Sequence, residues 1–458
     1  MFVKNIMLEN SYKCVHQCKC NSFACDDDAN EKKEIVHKAL INFLPSFIQS
    51  YKNHQVKEFN ENCIKLSVLF HSSNLQIYSE PCIHDIFDLL KEIVRERNSD
   101  FIISCLHLLG SIFFCKLYVV VIYFQDIYKY LNEFLKSGNE ETINSSLIAI
   151  GYLIQSLKEN DDIPFDLSLG LLLNLSKKFP SLKSSILFVC GSGLINRPYS
   201  CFRDQFIVVG YAILSCELDV SLFFYGLRNV YKIEPNIIYK ILEELDGFFE
   251  KISGFLFINS EYEFLSFHSF KLWKTILKYN KEKQNEILLN INFENVLKAL
   301  KTFNLSTNYG NEIHQISYYL LRKRIKTQSN LINILFQHFN ISDFYDDIKD
   351  GKFGLKLSTT KFIQIILIYS HQSTHLELGT EFILLLFDYI SIDSPRLSYS
   401  IMKIILFIIE FLNNEYKEMV IRLLKENHQI QSEMILFNEN EFSLKLQILS
   451  TQILNYLS

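Results

Sequence analysis

The stretch Asn139–Ile154, NEETINSSLIAIGYLI, decides the fold. Glu140 and Glu141 open it, and carboxylates are favoured there against the positive N-terminal end of a helix dipole. Apolar side chains then recur at Ile143, Leu147, Ile150 and Ile154. That spacing lays them along one face of a helix with 3.6 residues per turn. Ala149 and Gly151 are small, which predicts a neighbouring helix packed close.

Outward from this stretch the same spacing returns. Upstream it falls on Ile102, Leu106, Leu109 and Phe113, and before that on Phe59, Cys63, Leu66 and Phe70. Downstream it falls on Leu182, Ile186, Val189 and Gly193, and near the C-terminus on Leu397, Ile401, Ile404 and Ile408. The four leading copies begin at 59, 102, 143 and 182, in steps of 43, 41 and 39 residues. One copy marks only an amphipathic helix. A nearly constant step marks a helical repeat array. Gly110 also stands 41 residues before Gly151, at the same place in its own copy.

Helix signals continue along the chain. Pro81 and Pro164 suit first turns, Gly138 suits a stop, and no stretch sustains the two-residue alternation of a strand. The segment 341–357, ISDFYDDIKDGKFGLKL, reads as the longest irregular piece and a protruding loop. Residues 1–29 read as a flexible tail carrying Cys14, His16, Cys18, Cys20 and Cys25. Their spacing lacks the paired knuckles of a structural zinc site, so no metal is expected. Residues 30–458 read as one array with a soft boundary near 253–262, since no Gly/Ser or Pro-rich linker divides them.

Composition narrows the classes. In 458 residues, Lys and Arg number 46 against 51 Asp and Glu, a net charge of -5, so no nucleic-acid or anionic-membrane partner is indicated. The hydrophobic fraction of 48% can fill a long core. The 11 cysteines, without an N-terminal apolar leader, read as reduced thiols in a cytoplasmic or nuclear protein. Residues 101–124 are long and apolar enough to span a bilayer, which makes a membrane-anchored protein the alternative. His107 and Lys116 are costly at bilayer depth, and the repeat register of Ile102–Phe113 favours two buried helices broken near Lys116–Tyr118.

A search for chemistry returns no catalytic, cofactor-binding or metal-ligating set. Gly191-Ser192-Gly193 follows a helical run rather than a strand, and Asp350-Gly351-Lys352 with Gly354 lacks the P-loop spacing. His371 and His375 stand in a turn-like span without an acid between them. Cys105 and His107 point to different helix faces and read as core. The cluster Arg322, Lys323, Arg324 and Lys326 ends a helix and complements its dipole there; its other reading is contact with an acidic partner or a nuclear-localisation patch.

The segment 126–154, DIYKYLNEFLKSGNEETINSSLIAIGYLI, resembles the second and third helices of an armadillo repeat. Phe134-Leu135 stands at the family's paired position, Ser137-Gly138 at its turn, and Ser146 and Ala149 at its small positions. Residues 161–176, ending Asn174-Leu175-Ser176, resemble the same third helix, but begin only 22 residues after Asn139. That half-step also suits a two-helix HEAT-like register. The family's peptide-holding Asn falls on Tyr152, and Trp273 is the single tryptophan, so the Trp–Asn ladder of nuclear-import adaptors is absent. The resemblance implies an all-α, right-handed α-solenoid of stacked helical hairpins, an armadillo/HEAT-like superhelix. The function expected of it is a non-enzymatic protein-binding scaffold or adaptor.

Overall fold

The computed structural model describes residues 38, 41–73, 81–114, 119–137, 139–157, 167–195, 202–214, 220–370, 378–439 and 444–457. The N-terminal cysteines, the expected break at Lys116–Tyr118, Gly138, Pro164, His371 and His375 lie outside these residues. Among the described residues every regular element is a helix. The chain divides into two compact units, Met1–Leu245 and Asp246–Ser458. The segment 253–262 lies just past that division, inside the second unit.

In the first unit a helix over 41–52 precedes α1 (Val56–Ser73), α2 (Pro81–Glu96), α3 (Ile102–Phe114), α4 (Val119–Ser137), α5 (Glu140–Ser156), α6 (Leu169–Lys178), α7 (Lys183–Ile195), α8 (Arg203–Ile213), α9 (Ser221–Ile233) and α10 (Pro235–Glu244). The odd-numbered helices α1, α3, α5, α7 and α9 pack each against the next in chain order. In a second series α2 meets α4 and α6 meets α8. Every position of the four sequence copies is buried, from Phe59 in α1 to Gly193 in α7.

The helix α5 shows why. Asn139 caps it, its side-chain oxygen accepting from the Thr142 N–H at 2.9 Å. From Thr142 to Ile154 almost every residue is buried, because α3, α4 and α7 cover three sides. A Cβ on Gly151 would lie 2.2 Å from Cε1 of Phe188, so only glycine admits that ring. One step back the ring of Tyr152 lies beside Gly110 at ordinary contact distance, 3.4 Å from where a Cβ would stand. Polar side chains tie successive steps: Ser185 Oγ donates to Asn144 Oδ1 at 2.6 Å and Gln155 to Ser192 Oγ at 2.8 Å, partners 41 and 37 residues apart. Removing the cap with Asn139→Ala is expected to cost about 1 kcal/mol, read as a lower urea midpoint at unchanged slope.

The second unit holds α11 (Phe248–Gly254), α12 (Glu263–Tyr279), α13 (Gln284–Leu289), α14 (Phe293–Thr302), α15 (Gly310–Thr327), α16 (Leu331–His338), α17 (Tyr345–Lys349), α18 (Phe353–Ser370), α19 (Thr380–Asp388), α20 (Pro395–Phe411), α21 (Asn414–Glu426), α22 (His428–Glu439) and α23 (Leu444–Asn455). Here α12, α15, α18, α20 and α23 pack in chain order, and α17, α19 and α21 form a second series. The ordered helices begin at 263, 310, 353, 395 and 444, steps of 47, 43, 42 and 49. Ties again span about one step: the Tyr309 N–H donates to Glu263 and the Lys352 N–H to Asn311, partners 46 and 41 residues apart.

The expected loop at 341–357 is not a loop. A 3-10 turn at Ile341–Phe344 runs into α17, and α18 already begins at Phe353. Ile341, Phe344 and Ile348 are buried. They anchor the segment at helical spacing, but a five-residue helix is too short to show a period among so many charged neighbours.

Among the described residues no helix is long and apolar enough to cross a membrane. The alternative of a span through 101–124 is therefore not supported. The apolar faces of α3 are taken up by α1, α2 and α5.

Candidate functional site

Most of the motifs weighed in the sequence belong to the core. Gly191-Ser192-Gly193 lies inside α7, where Ser192 donates to the Phe188 carbonyl at 2.8 Å. A Cβ on Gly191 would meet the backbone of Leu222 at 2.8 Å, so this glycine serves the contact of α7 with α9 rather than a phosphate. Cys105 is fully buried and donates to the Leu90 carbonyl at 3.5 Å. Burial pushes its thiol well above the ordinary range, which leaves a poor nucleophile. His107 faces away from it and meets Ser145 at 3.0 Å; burial lowers the imidazole's proton affinity. The Asp350-Gly351-Lys352 turn joins α17 to α18 and is held by Asn311.

Two groupings were not foreseen, both in the second unit. The first is a buried polar cluster. His314 of α15, Tyr318 one turn on, and Asp347 of α17 are 7%, 2% and 4% exposed. Nδ1 of His314 meets both Asp347 oxygens at 3.0 Å, and Nε2 meets the Phe303 carbonyl at 2.5 Å. The ring thus bridges the Asp347 carboxylate on one side and the backbone of α14's end on the other. Tyr318 donates its hydroxyl to Asp347. Burial first, then the Asp347 charge, keeps that hydroxyl far above the usual phenol range and protonated. A histidine, a carboxylate and a tyrosine in contact look catalytic. Each polar atom is instead consumed by its neighbours, and the cluster pins α17 and the end of α14 to α15.

The second grouping is open. A pocket of about 230 Å³ lies between α12, α15 and α18. Lys274, Arg322 and Lys361 enter it from one helix each, with Gln315, Tyr319 and Ser358 between them. None of the described residues lining it is acidic. Burial lowers the proton affinity of all three cations; Lys278 adds repulsion at Lys274, and Arg322 and Arg396 add it at Lys361. The Arg322 guanidinium lies 5.9 Å from the Tyr319 ring centroid. Burial also raises the Tyr319 hydroxyl, so it remains a neutral donor.

The sequence cluster at 322–326 therefore splits. Arg324 and Lys326 sit in the last turn of α15, as the dipole reading expected. Arg324 also donates to the Leu289 carbonyl, and Lys323 to Gln284 at 3.2 Å. Arg322 alone turns into the pocket. Gly354, set aside for lacking a P-loop spacing, forms part of the wall beneath Gln315. The signal that could have found the site is the recurrence of Lys274, Arg322 and Lys361 at 48 and 39 residues, close to the array's own step.

No family model matches the chain, and no curated protein is similar to it. Among solved structures, the chain is similar to the crystal structure of an engineered protein. The TM-score is 0.53 at 11% identity, over 91% of this chain and 98% of the other. At that identity the likeness speaks for the all-helical fold alone.

Proposed function

We propose that this chain is a non-enzymatic protein-binding scaffold or adaptor of the cytoplasm or nucleus, each unit a right-handed armadillo/HEAT-like α-solenoid. One observation carries the reading. Helices about 40 residues apart pack in chain order, and side chains bond across the same interval. Stacks of this kind offer long surfaces whose area grows with each added repeat, and such surfaces hold other proteins. The first unit supports the two-helix HEAT-like register, with one helix, α6, between α5 and α7. In the second, α13 and α14 between α12 and α15 suit a three-helix armadillo-like step, while α19 alone lies between α18 and α20.

Purification of the tagged chain from its native cells at low salt, followed by cross-linking and mass spectrometry, tests the proposal. A stoichiometric protein partner is expected, with cross-links gathered on one series of helices. Repeated recovery of the chain alone counts against it.

A further inference from the structure

The pocket between α12, α15 and α18 holds an electrostatic imbalance that its surroundings do not relieve. Lys274, Arg322 and Lys361 are all partly buried. Among the described residues none of them has an ion-pair or hydrogen-bond partner in the fold, and the groups that act on Lys274 and Lys361 are other cations. Drawing like charges together away from water opposes folding. Such an arrangement is understandable where a ligand brings the missing charge.

We infer that this pocket binds a phosphate group, as a phosphomonoester or inorganic phosphate. A carboxylate would offset one of the three cations. A phosphate carries close to two negative charges and three strong acceptor oxygens. Arg322 presents a planar fork suited to two of those oxygens, and Lys274 and Lys361 act as point charges from the flanking helices. Ser358 and Gln315 add neutral donors at the same rim. Size fits the group: 230 Å³ is below the roughly 300–1,000 Å³ of sites that enclose drug-sized molecules. The pocket is sized for a phosphoryl head, with whatever carries it left outside. The inference does not depend on the scaffold reading, because its probes are small molecules.

The test uses the full chain. Inorganic phosphate is titrated at constant ionic strength, by calorimetry and by thermal melting, against wild type, Arg322→Met and Lys361→Met. Methionine keeps the apolar stem and removes the charge. Saturable binding is expected in the wild type, weakened about tenfold or more in each variant. Without phosphate, Lys361→Met is expected to melt no lower than wild type, since it removes repulsion. Wild-type chain that fails to bind at millimolar phosphate, or binding that both variants retain, overturns the inference. So does a clear drop in the melting temperature of Lys361→Met, because the lysine would then be a partner in the fold. A parallel titration with N-acetyl-O-phosphoserine amide fixes the source, and both of its results keep the phosphate assignment. Tighter binding than inorganic phosphate places the group on a protein side chain; equal binding leaves the free anion as ligand.

Discussion

Asp347→Ala is expected to destabilise the second unit by about 3–5 kcal/mol, the cost of leaving two buried polar side chains without their shared partner. The carboxylate accepts from both His314 and Tyr318, and all three groups are shut off from water. Its removal leaves the imidazole Nδ1 unanswered and a phenol with no acceptor. For a unit of this size the loss corresponds to a fall of about 6–20 °C in melting temperature. Hydrogen exchange should quicken first in α17 and the C-terminal turn of α14, the pieces this cluster fastens to α15. A double replacement, His314→Leu with Asp347→Leu, is expected to cost much less than the sum of the single changes, since it removes both partners of the buried hydrogen bond together. If Asp347→Ala melts with the wild type, the cluster contributes nothing and α17 is held by its apolar anchors alone.

Gly226→Ala provides the second large effect. Alanine is the better helix former by about 1 kcal/mol, so propensity alone predicts a gain. The structure predicts a loss. A Cβ at Gly226 would stand 2.6 Å from the Gly191 carbonyl oxygen and 3.0 Å from Cβ of Leu194. The obstacle at Gly191 is backbone, so α7 and α9 must separate, and overpacking of a formed core typically costs about 1–3 kcal/mol. Gly170 in α6 is the control, because nothing lies within 4 Å of the Cβ it lacks. Gly170→Ala is expected to stabilise by about 0.5 kcal/mol. Urea titration of the two variants side by side decides the matter: the same substitution should move the midpoint in opposite directions.

The contrast shows which parts of the fold were legible. The apolar copies at 59, 102, 143 and 182 announced α1, α3, α5 and α7, because a buried helix must repeat its sticky face every turn and these helices are long enough to do so. Gly151 was read as a point of close approach, and Phe188 occupies the space it leaves. The stretch 341–357 misled for the converse reason. Asp346, Asp347, Lys349, Asp350 and Lys352 look solvated, yet Asp347 goes inside because His314 and Tyr318, distant in sequence, offer it hydrogen-bond partners. Buried polar pairing leaves no periodic trace. The basic pocket was half visible: the run at 322–326 showed charge, but which of its members faces inward depends on the rotation of α15. Lys274 and Lys361 became its companions only once the helices were laid side by side.

The ties between steps, from Ser185 to Asn144 and from Lys352 to Asn311, reach no farther than the adjoining turn of the array. A stack bonded only to its nearest neighbours has no unique length. One step of roughly forty residues could be duplicated or lost by unequal crossover, and the interfaces on either side would close over the change, so such a chain can grow longer over generations without its core being redesigned.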